Sequence, residues 1–161
     1  MIRYWLLGAL LLLTGCASQA PLPAAQVRLA LPLQLHVQRL QQQQSQDWLL
    51  VIQQEGQALR WSLLDLLGIP QARQRLVAGA WQADGLLPPN PEARELFAAL
   101  LFALTPAEQL AGNYPAARQV GQQRQLGERW AVEYGQPQSF TLRLRQGLQY
   151  RISPLPNETP P

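Results

Sequence analysis

The sequence predicts an α+β domain in which one main helix packs on an antiparallel sheet. Two observations carry this reading. Apolar and polar residues alternate in short runs through the first and last thirds of the chain, as in Leu33, Leu35 and Val37 against Gln34, His36 and Gln38, which is the period of half-buried strands. Between them lies the one strong helical pattern, Leu96, Phe97, Leu100, Leu101 and Leu104 behind an Asn90-Pro91 start. Strands, then a helix, then strands argue for antiparallel pairing with the helix on one face, and against alternating βαβ units.

Taken in order, the first strand is expected from Arg28 to Gln38, with Pro32 implying a sheet edge or a bulge, because proline brings no N–H to the ladder. Gln41 to Gln46 reads as a polar turn, and Trp48 to Gln54 as a second strand, apolar on both faces. Glu55-Gly56-Gln57 turns the chain into a third strand, Ala58 to Leu66, which carries Leu59, Trp61 and Leu63. Leu67-Gly68-Ile69-Pro70 is a turn with unusually apolar members, and a fourth strand covers Ala72 to Ala80. The helix follows, with Asn90 as N-cap, Pro91 at the first helical position, and Glu92 and Glu95 where the helix dipole favours anions. Thr105-Pro106-Ala107-Glu108 has capping-box spacing and predicts a short second helix through Leu110, ended by Gly112-Asn113-Tyr114-Pro115. Strands at Trp130–Tyr134, 140–145 and 148–152 complete the domain, and residues 116–129 carry no assignment.

The two ends of the chain read differently. Met1-Ile2-Arg3 is a short positive stretch, and Tyr4 to Leu13 is an apolar run too short to span a bilayer of about 20 helical residues. Leu13-Thr14-Gly15-Cys16 then resembles the lipobox of bacterial lipoproteins. The resemblance implies a signal peptide over residues 1–15, three acyl chains on Cys16, and a tether over 16–27. Each buried methylene contributes about 0.8 kcal/mol, so two or more chains anchor firmly where one does not. Ala17-Ser18 follow with no aspartate that would retain the protein at the inner membrane, which implies the periplasmic face of the outer membrane. The domain is expected over 28–153, and the proline-rich tail 154–161 is expected to lack order.

Within the domain three stretches resemble LolB, the outer-membrane lipoprotein that receives other lipoproteins from a periplasmic carrier. They are the strand-loop-strand Leu59 to Leu76 with Leu66-Leu67-Gly68 at its tip, the proline-introduced helical stretch Leu86 to Leu104, and Gly127-Glu128-Arg129-Trp130-Ala131-Val132-Glu133-Tyr134-Gly135. The chain is shorter than LolB before the Gln41 turn, and it looks still more like small outer-membrane lipoproteins of this type that accompany aryl-polyene biosynthesis genes. The resemblance implies a curved LolA/LolB-like half-barrel with the helix on its concave face. It further implies binding of an acyl chain or a lipidated client and aid in its transport and membrane insertion, palmitate being the expected kind of acyl group on Cys16, with Leu67 matching a leucine that works against the membrane.

Composition and motifs narrow the chemistry. Charged residues are only 14% of the chain, and all thirteen cations are arginine. A net +3, scattered as it is, gives no clustered basic face for nucleic acid. His36 is the single histidine and Cys16 the single cysteine, so neither a metal set nor a Cys-His pair can be assembled. Asp65 and Asp84 read as turn residues. The sequence therefore points to a non-enzymatic protein without cofactor, acting as a monomer on the membrane through Cys16. The expected wall of an acyl-binding hollow is Trp48, Leu50, Trp61, Leu63, Phe97, Leu101, Trp130, Tyr134 and Phe140, joined by Trp81. Packing of these side chains into a solid core is the alternative, in which case the protein is an accessory or scaffold subunit. Leu66, Leu67 and Ile69 are expected either to fold back on the core or to stand out as a tip for lipid or a partner.

Overall fold

The computed structural model describes residues 19–136 and 138–155. The leader, Cys16 and residues 156–161 lie outside them. Ten strands form one open antiparallel sheet, in the order β5-β4-β3-β2-β1-β10-β9-β8-β7-β6. They are β1 (Leu33–Gln41), β2 (Gln44–Glu55), β3 (Ala58–Asp65), β4 (Pro70–Val77), β5 (Ala80–Ala83), β6 (Ala117–Val120), β7 (Gln123–Leu126), β8 (Trp130–Tyr134), β9 (Phe140–Leu144) and β10 (Gln149–Pro154). The chain starts at the centre of the sheet and meanders out to the β5 edge. It crosses to the β6 edge through α1 (Pro91–Leu104) and α2 (Ala107–Asn113), then meanders back to the centre. The first and last strands pair there, Val37 opposite Ile152.

This α+β sheet-and-helix arrangement agrees with the sequence reading, while several element boundaries move. The first strand begins at Leu33, after Pro32, and lies in the middle of the sheet instead of at an edge. The first hairpin turns on Gln42 and Gln43 alone, both with positive φ, so the polar run from Gln44 onward belongs to β2. The fourth strand stops at Val77, because Ala78 and Gly79, at φ 48° and 75°, turn the chain into β5. The second helix runs on to Asn113 and lacks the expected cap: Thr105 instead donates its hydroxyl to Leu101 O at 2.7 Å. The tail is ordered one step further than expected, since Pro154 ends β10 and the Leu155 amide donates to Gln34 O. The unassigned stretch forms β6 and β7, which the sequence hides because β6 exposes Val120 and the buried member of β7 is Arg124.

Residues 16–27 also depart from a free tether within the described part. Ala24 N donates to Asn113 O at 3.1 Å, Ala25 N to Asn113 Oδ1 at 2.8 Å, and Val27 is buried in the core. This segment closes over the end of the sheet where α1 finishes.

The core is built around α1. Asn90 caps it by accepting from Ala93 N at 3.0 Å, with Pro91 at the first turn. Every residue from Leu96 to Ala103 is at most 4% exposed, so this helix is covered all round, as its unbroken apolar sequence requires. Phe97 and Phe102, roughly 140° apart around the helix, face opposite halves of the sheet. Phe97 lies 5.5 Å from Trp61 and 5.9 Å from Trp81; Phe102 lies 5.6 Å from Trp130 and 5.0 Å from Tyr114.

A helix buried to its last turn leaves carbonyls without water. Arg124 on β7, itself 3% exposed, supplies the donors: its Nη1 reaches Phe102 O at 2.8 Å, Ala103 O at 3.3 Å and Thr105 O at 2.8 Å. Its guanidinium also stands over the rings of Phe102 and Tyr134. Burial lowers the Arg124 pKa, yet a guanidinium stays charged in proteins, and a cation here complements the negative end of the helix dipole. Arg124→Met removes the donor from Thr105 O, leaves Phe102 O only the Thr105 amide and Ala103 O only the Tyr134 hydroxyl, and is expected to lower unfolding free energy by about 1–3 kcal/mol. Urea denaturation checks it, with exposed Arg118→Met, expected within about 0.5 kcal/mol of the parent, as the control.

Candidate membrane-facing site

The most unusual surface of the domain is the tip joining β3 and β4. Leu66, Leu67 and Ile69 are 73%, 85% and 54% exposed. The loop is not slack, because Asp65 organises it. One oxygen, Oδ1, accepts from the amides of Leu67 and Ile69, both at 2.9 Å, while Asp65 O accepts from Gly68 N at 3.0 Å. The other, Oδ2, takes Gln71 Nε2 at 3.2 Å. Gly68 sits at φ 79°, in the left-handed region where a side chain would be strained. With its amides satisfied inside the loop, the tip holds three large apolar side chains outward. Leaving them in water forgoes about 1.5–3 kcal/mol each, and a cluster of this kind marks an interaction surface.

Beside the tip, at the same end of the sheet, α1 enters the fold. Trp48 stands opposite Asp65 in register. Glu92 is held by β1 and β10: Arg39 Nε donates to its Oε1 at 2.6 Å and Nη2 to Oε2 at 3.2 Å, and Tyr150 Oη donates to Oε1 at 2.9 Å. Glu95 is held from the other half, by Arg129 through two bonds of 2.7 Å and by Trp130 Nε1 at 2.7 Å. Donation from Arg39 holds the Glu92 carboxyl below its ordinary range. Burial pushes Glu95 upward, but the donors Arg129 and Trp130 outweigh it and the net shift is down. Burial raises Tyr150. A pocket of about 370 Å³ opens between Arg39, Gln46, Trp48, Gln71, Glu92 and Tyr150. At the opposite end, a mainly apolar cleft of about 540 Å³ lies between residues 23–27 and Leu59, Leu76 and Leu101.

The residues expected to wall a hollow are placed otherwise. Leu50, Trp61, Leu63, Phe97, Leu101 and Trp130 are at most 1% exposed and pack in one core cluster. The space between sheet and helix is filled by their own side chains and by Phe102, which the sequence reading did not single out. Trp48 and Leu63 reach the 370 Å³ pocket, and Leu101 reaches the apolar cleft. Tyr134 and Phe140 pack ring to ring at 5.7 Å, and Tyr134 Oη donates to Ala103 O at 2.6 Å. Burial pushes the Tyr134 hydroxyl up to about 12. Of the two expectations for Leu66, Leu67 and Ile69, the structure has the exposed one. His36 lies 2.8 Å from Asp47 Oδ1 across the neighbouring strand, and no group of three metal-ligating residues exists among the described residues. Arg39, Glu92 and Tyr150 were missed as a set. Their signal was two glutamates three apart on a helix with little else polar.

Comparison with protein-family models and with curated proteins finds no match for the chain. Among the described residues, no helix is long and apolar enough to cross a membrane.

Asp65→Ala is expected to free the Leu67 and Ile69 amides, cost about 1–2 kcal/mol, and raise their hydrogen-exchange rates above those of β3. Because Glu92 and Glu95 titrate lower folded than unfolded, they stabilise the fold above the ordinary carboxyl value of 4.5, and that contribution is lost as pH falls through the folded values. Urea midpoints should therefore drop below about pH 4.5, and the double variant Glu92→Gln, Glu95→Gln should drop less.

Proposed function

We propose that this is a lipid-anchored, non-enzymatic LolB-like lipoprotein of the periplasmic face of the outer membrane. It engages acyl chains at the bilayer surface and aids insertion of an acylated molecule or lipidated client. The observation that carries the reading is the tip: Leu66, Leu67 and Ile69 stand out from a loop braced by Asp65. The lipobox-like Leu13-Thr14-Gly15-Cys16 supports membrane attachment, and the match of Leu67 to the LolB leucine supports the tip as the membrane contact. The filled core moves the acyl contact from an interior hollow to the surface. A tip seated in the headgroup boundary would bury two or three of these side chains, enough for reversible contact, while the acylated Cys16 supplies the firm anchor.

The filled core also favours a second reading, an accessory subunit that holds an envelope-assembly or lipid-biosynthesis complex at the membrane. Crosslinking from position 67 separates the two, since lipid adducts fit the first and a single protein adduct the second.

A leaderless form lacking Cys16 should float with phospholipid vesicles, and Leu67→Glu should weaken that binding about tenfold or more, the worth of one buried leucine. Equal flotation of the two forms would sink the tip as a membrane contact.

A further inference from the structure

The pocket beside the tip has a chemistry of its own. Its rim carries one full positive and one full negative charge side by side, Arg39 and Glu92, with Nε to Oε1 at 2.6 Å. The Glu92 side chain keeps 41% of its surface exposed and that of Arg39 14%, so both charges can be reached from the pocket. Next to them two aromatic rings, Trp48 and Tyr150, lie tilted at 6.4 Å between centroids. Gln46 and Gln71 add neutral donors and acceptors. The volume of about 370 Å³ falls in the range of small-ligand sites. The pocket shares Gln71 with the tip, where its Nε2 donates to Asp65 Oδ2, so anything bound here would sit beside the apolar side chains.

The charge pattern selects among ligands. A simple anion entering the pocket is attracted by Arg39 and repelled about equally by Glu92, and a simple cation meets the reverse. A molecule that carries both charges a few ångströms apart satisfies both partners. Its phosphate accepts from the guanidinium of Arg39, and its ammonium meets Glu92 and the half-buried ring of Trp48. An acyl-bearing molecule of that kind would leave its chains toward Leu66, Leu67 and Ile69.

We propose that the Arg39–Glu92 pocket is a binding site for the headgroup of a zwitterionic phospholipid of the phosphoethanolamine type. The proposal rests on the reading of the tip as a membrane contact and adds the class of lipid it meets. Recognition needs no covalent step: the headgroup inserts alongside the existing ion pair, and both charges stay paired.

The test uses the full chain in a non-ionic detergent, titrated with glycerophosphoethanolamine and with glycerophosphoglycerol, which has the phosphate but no ammonium. Phosphorus NMR of the probe gives the affinity. Glycerophosphoethanolamine is expected to bind about tenfold tighter, one paired charge's worth, with the preference lost in Glu92→Gln and reduced in Trp48→Leu, while Arg39→Gln weakens both probes alike. Equal affinity for the two probes, or no binding of either, overturns the proposal. So does a preference that survives Glu92→Gln. If a charge variant does not fold, the selectivity of the parent protein and of Trp48→Leu decides. Vesicle flotation that still depends on Leu67 while the probes bind equally would remove this headgroup site and leave the tip reading intact.

Discussion

A helix surrounded on every side is the constraint to which the rest of this molecule answers. Eight successive residues of α1 have almost no contact with solvent, so the sheet must curve far enough, and the segment before β1 must fold over far enough, to enclose it. The strand order follows from the same demand. The helical crossover leaves from the β5 edge and arrives at the β6 edge, so it lies across the face of the sheet that it packs against. Phe97 and Phe102 then wedge the two halves apart, each in its own aromatic cluster. The hollow such a sheet would otherwise enclose is taken by the crossover itself.

Enclosing a helix solves the hydrophobic problem and creates a polar one, because helix ends carry groups with no partner of their own. The two ends are handled in opposite senses. At the start, Asn90 caps and two carboxylates meet arginines from both halves of the sheet. At the finish, Arg124 gathers three carbonyls. Negative groups near the amino end and a positive group at the carboxyl end both follow the helix dipole. The starting end is partly open to solvent, whereas Arg124 at the finish is almost wholly buried. The apolar tip stands at this open end, so the exposed apolar side chains lie on one pole and the docked segment 20–27 on the other.

Much of this was legible in the sequence, for physical reasons that can be named. Alternating runs such as Ala58 to Leu66 and the Asn90-Pro91 start fix their own conformation; the helix starts where the pattern puts it, and the strand ends one residue early, at Asp65. The strands β6 and β7 were not legible, because their buried member is Arg124, a residue that a periodicity argument counts as outward. The first strand was misplaced toward an edge because Pro32 was read as part of it, whereas it stands just before the ladder begins. Exposure of Leu66, Leu67 and Ile69 could not be decided from apolar character alone. It is decided by Asp65, whose carboxylate uses the loop amides and leaves the side chains no path inward. Likewise the filling of the core depended on Phe102 reaching Trp130, a meeting of distant segments that spacing does not reveal.

The pairing of β1 with β10 bears on how the chain is made. Neighbouring strands elsewhere in the sheet are hairpins that can zip locally, but the central pair joins the earliest strand of the domain to the last one synthesised. A nascent chain therefore holds half of its sheet with an unpaired inner edge until β10 has been made, and contacts so distant in sequence form slowly. A polypeptide that must be threaded through a membrane before it folds, as the lipobox-like leader suggests for this one, gains from such a delay. Its topology postpones closure of the central pair until β10 is free to reach β1.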